Sequence, residues 1–197
     1  MKAQISKTRD SLQAKYITAD KASKTAIIKY AKGFLFEMIT TDIFNCWYGT
    51  PWDFNGQSRV PQQGSIACGY FVTGVLYDAG LNIPRVNWAQ QASEVFISKM
   101  SNDIKRFSNA SVEEVKLYLK KKGNGLYIVG LDKHVGFVYV KGEEIKFVHS
   151  NYYQRDIGVM SEELDSDNPL KDSNYRVIGK IIDDNMIENW ILNLKYL

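Results

Sequence analysis

His134-Val135-Gly136-Phe137-Val138-Tyr139-Val140-Lys141-Gly142-Glu143-Glu144-Ile145-Lys146-Phe147-Val148-His149-Ser150-Asn151 is two apolar runs joined by a turn, and the way they pair decides the fold. The turn Lys141-Gly142-Glu143-Glu144 sets Val140 opposite Ile145, whether the loop counts as two residues or four. Carried along the strands, this register places His149 opposite Gly136 and Asn151 opposite His134. Strand side chains alternate with period two, so all four share one face. His149 then becomes the diagonal neighbour of His134, at a backbone spacing of ~7–8 Å. Gly136 is expected to leave open space across from the second ring. These are the only two histidines of the chain. A strand histidine is more often a satisfied structural residue, but two on one face also supply a base and a partner that orients it.

Outward from this hairpin, Leu126 to Leu131 and Tyr175 to Ile182 share the period of two and complete an antiparallel sheet. The stretch Asp156 to Ser173 is acidic and loop-like, with Ser166-Asp167-Asn168-Pro169 as a turn. Ser111-Val112-Glu113-Glu114 fits a capping box and opens a helix that ends at Lys120-Lys121-Lys122-Gly123. Trp88 to Met100 is expected to form one helix. Residues 1–44 carry apolar residues at helical intervals, with Gly33 as a break or joint, and the arm is expected to pack on the rest because its apolar side is large. Residues 183–197 hold a short C-terminal helix through Met186, Ile187, Trp190, Ile191 and Leu194. The expected architecture is α+β in a single domain over 1–197, with a core at 45–182 and no internal repeat.

A second stretch carries chemistry. In Gly64-Ser65-Ile66-Ala67-Cys68-Gly69-Tyr70-Phe71-Val72-Thr73-Gly74-Val75-Leu76, the residues Phe71, Val72, Val75, Leu76 and Ala79 recur at helical spacing, and Gly80 can end the helix as its C′ residue. Cys68 is thereby placed at a helix N-terminus, where free N–H groups and the dipole favour thiolate over thiol. Its pKa is expected below the free value of ~8.5, with fast alkylation at pH 6 to 7. Gly69 and Gly74 leave room for another backbone. A lone cysteine on a helix is also a small hydrophobe. The segment Cys46-Trp47-Tyr48-Gly49-Thr50-Pro51-Trp52-Asp53-Phe54-Asn55-Gly56 is an aromatic-dense loop that either walls a cleft or seals the end of a core.

Composition narrows the class. The 197 residues are 45% hydrophobic and 24% charged, enough for one buried core and against disorder as the main state. Lys+Arg 25 against Asp+Glu 22 gives +3, with the lysines dispersed among acids, which speaks against a nucleic-acid partner. Two cysteines make no disulfide framework, and two Cys with two His lack the pairwise spacing of a zinc site, so no metal and no cofactor is expected. No apolar h-region follows Met1, and no run reaches the ~18 residues of a transmembrane segment. Compartment and oligomeric state are not fixed by these features.

The order of these pieces resembles the NlpC-type cell-wall peptidases, a family of papain-like cysteine hydrolases. Gly49-Thr50-Pro51-Trp52-Asp53-Phe54-Asn55-Gly56, Ala67-Cys68-Gly69-Tyr70-Phe71-Val72, His134-Val135-Gly136 and His149 match its successive motifs over residues 45–182. The resemblance implies a papain-like fold with an active cleft between the Cys68 helix and the sheet face bearing the histidines. It implies Cys68 as nucleophile, His134 as general base and then acid, and His149 as the residue orienting His134. Acyl transfer to water would pass through a thioester, with the backbone N–H of Cys68 as one oxyanion donor. Trp52 stands where the family has a tyrosine that contacts substrate or oxyanion. Ala67 and Gly69 replace an aspartate and a serine that hold a stem-peptide amino group. Asn151 is the alternative orienter, and Gln62 and Gln63 lie where other papain-like enzymes carry an oxyanion glutamine. The implied partner is a peptide or peptidoglycan fragment, and the implied location is the cell envelope or outside it. A catalytically idle cleft-binding module, and a hydrolase or acyltransferase of the same fold acting on another amide or ester, are the other readings.

Overall fold

The computed structural model describes residues 1–196 and is an α+β architecture built on one six-stranded antiparallel sheet. The chain opens with α1 (Lys2–Thr18) and α2 (Lys21–Glu37). The joint between them lies at Ala19-Asp20 and not at Gly33, which is interior to α2. Ala19 is extended, and the Asp20 carboxylate accepts the Ser23 N–H to start the second helix. A π-helical turn (Met38–Ile43) follows, where Thr40 and Thr41 return their hydroxyls to the carbonyls of Phe36 and Glu37. A short α3 (Phe44–Trp47) brings the chain to the aromatic loop.

Next come α4 (Cys68–Asp78), α5 (Arg85–Ala89) and α6 (Ser93–Met100). The single helix expected over Trp88–Met100 is divided, because the chain turns at Gln90–Ala92 and restarts at Ser93. Strand β1 (Asp103–Ser108), absent from the sequence reading, precedes α7 (Val112–Lys122), which has the expected reciprocal capping box of Ser111 and Glu114. Then come β2 (Gly125–Leu131), β3 (Val135–Lys141), β4 (Glu144–Ser150) and β5 (Val159–Glu162). A one-turn α8 (Pro169–Asp172), β6 (Tyr175–Ile181) and α9 (Asp184–Ile191) complete the chain. The stretch 156–173 is thus not all loop: it holds the edge strand β5 and the Asn168-capped α8.

The strand order is β1-β6-β2-β3-β4-β5. The β3–β4 hairpin has the expected register, with Val140 opposite Ile145 and Phe137 opposite Val148. Period-two alternation sends Phe137, Val148 and Ile128 to one face, under α4, where Phe71 meets Phe137 edge-on at 6.1 Å. Each such ring, fully buried, contributes roughly 1.5–3 kcal/mol. Val129, Val138, Phe147 and Ile178 take the other face, under Val115 and Leu119 of α7 and Leu170 of α8. Ile5, Leu12 and Tyr16 of α1 belong to the same buried cluster as α4 and α9. The arm is fixed by Tyr16 Oη donating to Glu188 (2.8 Å) and by an ion pair of Lys32 with Asp184. No helix among the described residues is long and apolar enough to cross a membrane.

Candidate active site

Three pieces of chain converge on the N-terminus of α4. Ile66 N–H donates to Pro51 O and Ala67 N–H to Gly56 O, so the approach to Cys68 is docked on the aromatic loop. Ser150 Oγ, at the end of β4, donates to Ile66 O at 2.7 Å. The turn into β3 is held by Asp132, whose carboxylate accepts the N–H groups of Asn174 and Tyr175 and the Ser173 hydroxyl, and these bonds keep its pKa low. His134 directly follows this turn, one residue before β3 begins.

Cys68 and His134 border one cavity of about 310 Å³, together with Gly69, Ser93, Glu94, Lys133 and Tyr175. His134 also borders a neighbouring cavity of about 400 Å³, shared with Tyr152, Tyr153 and Asp172. The site does not lie between the Cys68 helix and the histidine-bearing face. Residue parity puts His149 and Phe147 on the face under α7, whereas α4 covers the opposite face. The cleft instead borders the end of β2 at Leu131, the Asp132–His134 turn, the start of β3 at Val135 and the start of β6 at Tyr175 and Val177.

The imidazoles meet as the register requires: His134 Nε2 lies 2.8 Å from His149 Nδ1, with the rings perpendicular. His149 stands behind His134, fully buried, and is not itself part of the cavity wall. Gly136 does not leave open space. A Cβ there would lie 2.6 Å from the Phe147 ring and 2.9 Å from the His149 Cβ, so the absent side chain is what admits these two. Phe147 stacks on His149 at 4.1 Å. The line continues to a residue that the sequence reading missed: His149 Nε2 lies 2.6 Å from Oε1 of Glu162 on β5. The only signal for it was the pattern Val159-Met160-Ser161-Glu162, in which Met160 pairs with His149 and Glu162 is the next residue on that face.

Burial sets the charge states. Desolvation lowers His149 to about 3 and His134 well below its usual range, with the neighbouring His149 adding to the lowering of His134. Desolvation and the charge of Asp167 raise Glu162 to about 7. The Cys68 thiol is pushed up by burial, against the backbone N–H groups of Val135, Gly69 and Cys68 itself, which pull it down. The expectation of a depressed thiol is thus reversed: the helix terminus is present, but the desolvation outweighs it. Among the described residues no hydrogen bond joins the sulfur to His134, and His134 Nδ1 is buried with no partner.

The remaining expected residues divide. Gly69 gives the close approach expected of it, since a Cβ there would strike the carbonyl oxygen of Ala89 in α5. Gly74 meets only side chains of Arg85 and Trp47, so no backbone uses its space. Trp47 seals the core, whereas Trp52 packs on Tyr152 (5.9 Å), whose ring contacts His134 at 5.2 Å. The Trp52 indole N–H is buried without a partner. Asn151 is not bonded to His134. Its amide donates to Met160 Sδ and Glu162 (3.4 Å), and its oxygen accepts the N–H groups of Tyr153 and Gln154. Gln63 is exposed in a turn, and its carbonyl accepts the Ser58 hydroxyl, while Gln62 Nε2 donates to Tyr48 O; neither borders the two cavities beside His134. Cys46 and Cys68 are both free thiols, and no group of three metal-binding side chains occurs among the described residues.

In comparisons with protein-family models, curated proteins and solved structures, nothing matches this chain.

Proposed function

We propose that this protein is a cysteine-dependent amide hydrolase of papain-like architecture, acting through a thioester on peptides of the bacterial cell wall. The observation that carries the reading is the cavity shared by Cys68, at the first turn of α4, and a buried His134 whose Nε2 is bonded to His149. His134 Nδ1, without a partner, takes the thiol proton as the sulfur attacks the amide carbonyl, and returns it to the leaving amine. Water then cleaves the thioester with His134 again as base. The N–H of Cys68 is the candidate oxyanion donor; the indole N–H of Trp52 is unspent, but Trp52 borders neither cavity. Because burial holds the thiol protonated and the ring neutral, the nucleophile forms on proton transfer and does not stand as a ready ion pair.

The raised thiol pKa and the lack of a sulfur–imidazole hydrogen bond favour a second reading, an idle cleft that binds such peptides without cleaving them. Incubation of purified peptidoglycan with the protein and with Cys68→Ala, followed by mass spectrometry, separates the two. New fragments made only by the parent support the hydrolase. Retention of muropeptides by both proteins without new fragments selects the binding module.

A further inference from the structure

We propose that Glu162 is a positioning residue: its carboxylate fixes the tautomer of His149 and, through it, that of His134, making the site a base only while the Glu162–His149 pair lacks its extra proton. This rests on the reading of His134 as the base for Cys68. The three groups form one line, with His134 Nε2 to His149 Nδ1 at 2.8 Å and His149 Nε2 to Glu162 Oε1 at 2.6 Å. A carboxylate only accepts, so His149 must carry its hydrogen on Nε2 and present a bare Nδ1. That nitrogen accepts from His134 Nε2–H, which leaves His134 Nδ1 with a lone pair. Nδ1 is the nitrogen that has no partner among the described residues.

One added proton reverses the line. If it rests on Oε1 of the carboxyl, the oxygen that faces the ring, Glu162 donates to His149 Nε2, and the hydrogen of His149 moves to Nδ1. If it rests on the imidazole, both nitrogens of His149 carry hydrogen. In either case His149 Nδ1 donates, His134 Nε2 must accept, and the hydrogen of His134 is displaced to Nδ1, where it blocks the transfer from sulfur. The groups facing Glu162 are His149 from β4, Asn151 at the end of β4 and Asp167 from the segment before α8. The side chain is only 8% exposed, and with the charge of Asp167 nearby the proton is taken up at about pH 7. The asymmetry of the oxygen is also fixed, because the Asn151 amide donates to the same Oε1. A glutamine at this position therefore keeps an acceptor towards His149 and holds the base-competent tautomers at every pH.

The test uses the full chain with ring-15N histidine in a Cys46→Ser background, followed by NMR from pH 5 to 9. Two neutral rings with hydrogen on Nε2 are expected above pH 8, and hydrogen on Nδ1 of His134 below pH 6, with a midpoint near 7. In Glu162→Gln, His134 should keep Nε2–H throughout. Iodoacetamide labelling of Cys68 supplies the pH profile: with the thiol proton passing to a neutral His134, the parent's log rate should be flat from pH 7 to 8 and fall with a slope of one below pH 7, and in Glu162→Gln it should stay flat. A His134 tautomer that does not change with pH in the parent, or a Glu162→Gln profile identical to the parent's, overturns the proposal. The tautomer measurement needs no substrate, so a switch seen in a protein that cleaves no peptide would sink the hydrolase reading and leave this one standing.

Discussion

At Cys68 two effects of comparable kind compete. The helix terminus stabilises a thiolate, burial removes the water that would also stabilise it, and the second prevails. At pH 7 iodoacetamide should therefore label the exposed Cys46 before Cys68, and peptide mapping of the first labelled product checks the order. Gly69 beside it is a matter of space. Gly69→Ala would drive a methyl into Ala89 O, and displacing α5 should cost about 1–3 kcal/mol, read as a lower melting temperature. Gly33 provides the control. It sits in an exposed helix interior with nothing near its missing Cβ, so Gly33→Ala should stabilise by about 0.5–1 kcal/mol.

Elements differ in how much of their placement is written locally. The β3–β4 hairpin was legible because its turn fixes the register and its alternation fixes the faces, which is why the contact of His134 with His149 could be anticipated. The capping box of α7 and the Gly80 terminus of α4 were legible for the same reason, as both are side-chain or backbone chemistry within a few residues. Strands β1 and β5 were not. Asp103-Ile104-Lys105-Arg106-Phe107-Ser108 is mostly polar and becomes a strand only because β6 offers its edge, and the four residues of β5 are too few for a period. Glu162 went unseen with β5. The location of the cleft was missed because parity tells which side chains share a face, but not which helix covers that face. The loop from Asn151 to Gly158 shows how an element supports the site without joining it, since Asn151 accepts two N–H groups there. Asn151→Ala should cost about 1–2 kcal/mol of stability. It should slow Cys68 labelling above pH 8 less than His149→Ala does, with both variants checked for fold by circular dichroism. The reverse order would move the orienting role to Asn151.

Across the whole molecule, the buried line couples folding to pH. In the native state both imidazoles stay neutral as pH falls, while the Glu162–His149 pair holds one proton below about pH 7. Between roughly pH 5 and 6 the unfolded chain binds two histidine protons and leaves Glu162 ionised. The native state binds one, so the unfolded state is ahead by one and stability from this site falls with acid by about 1.4 kcal/mol per pH unit. Glu162→Gln removes the native proton, and the deficit becomes two. Urea titrations at pH 5 and 6 should show the variant losing about 1.4 kcal/mol more than the parent across that interval; equal losses would mean that Glu162 is ionised in the native protein. The strand that carries this carboxylate is an edge of the sheet and the shortest of the six. Val159 is held on both sides, by β4 and by Gly49 and Thr50, whereas Glu162 stands at the far end of a four-residue edge with β4 as its only neighbour in the sheet. Edges open at lower free energy than centres. Amide hydrogens of β5 should accordingly exchange with deuterium well before those of β2 and β3, and every such opening parts the carboxylate from the imidazoles. Besides the proton, the lifting of a sheet edge is then a second event that would interrupt the proposed base, at a strand that does not border the cavity of Cys68.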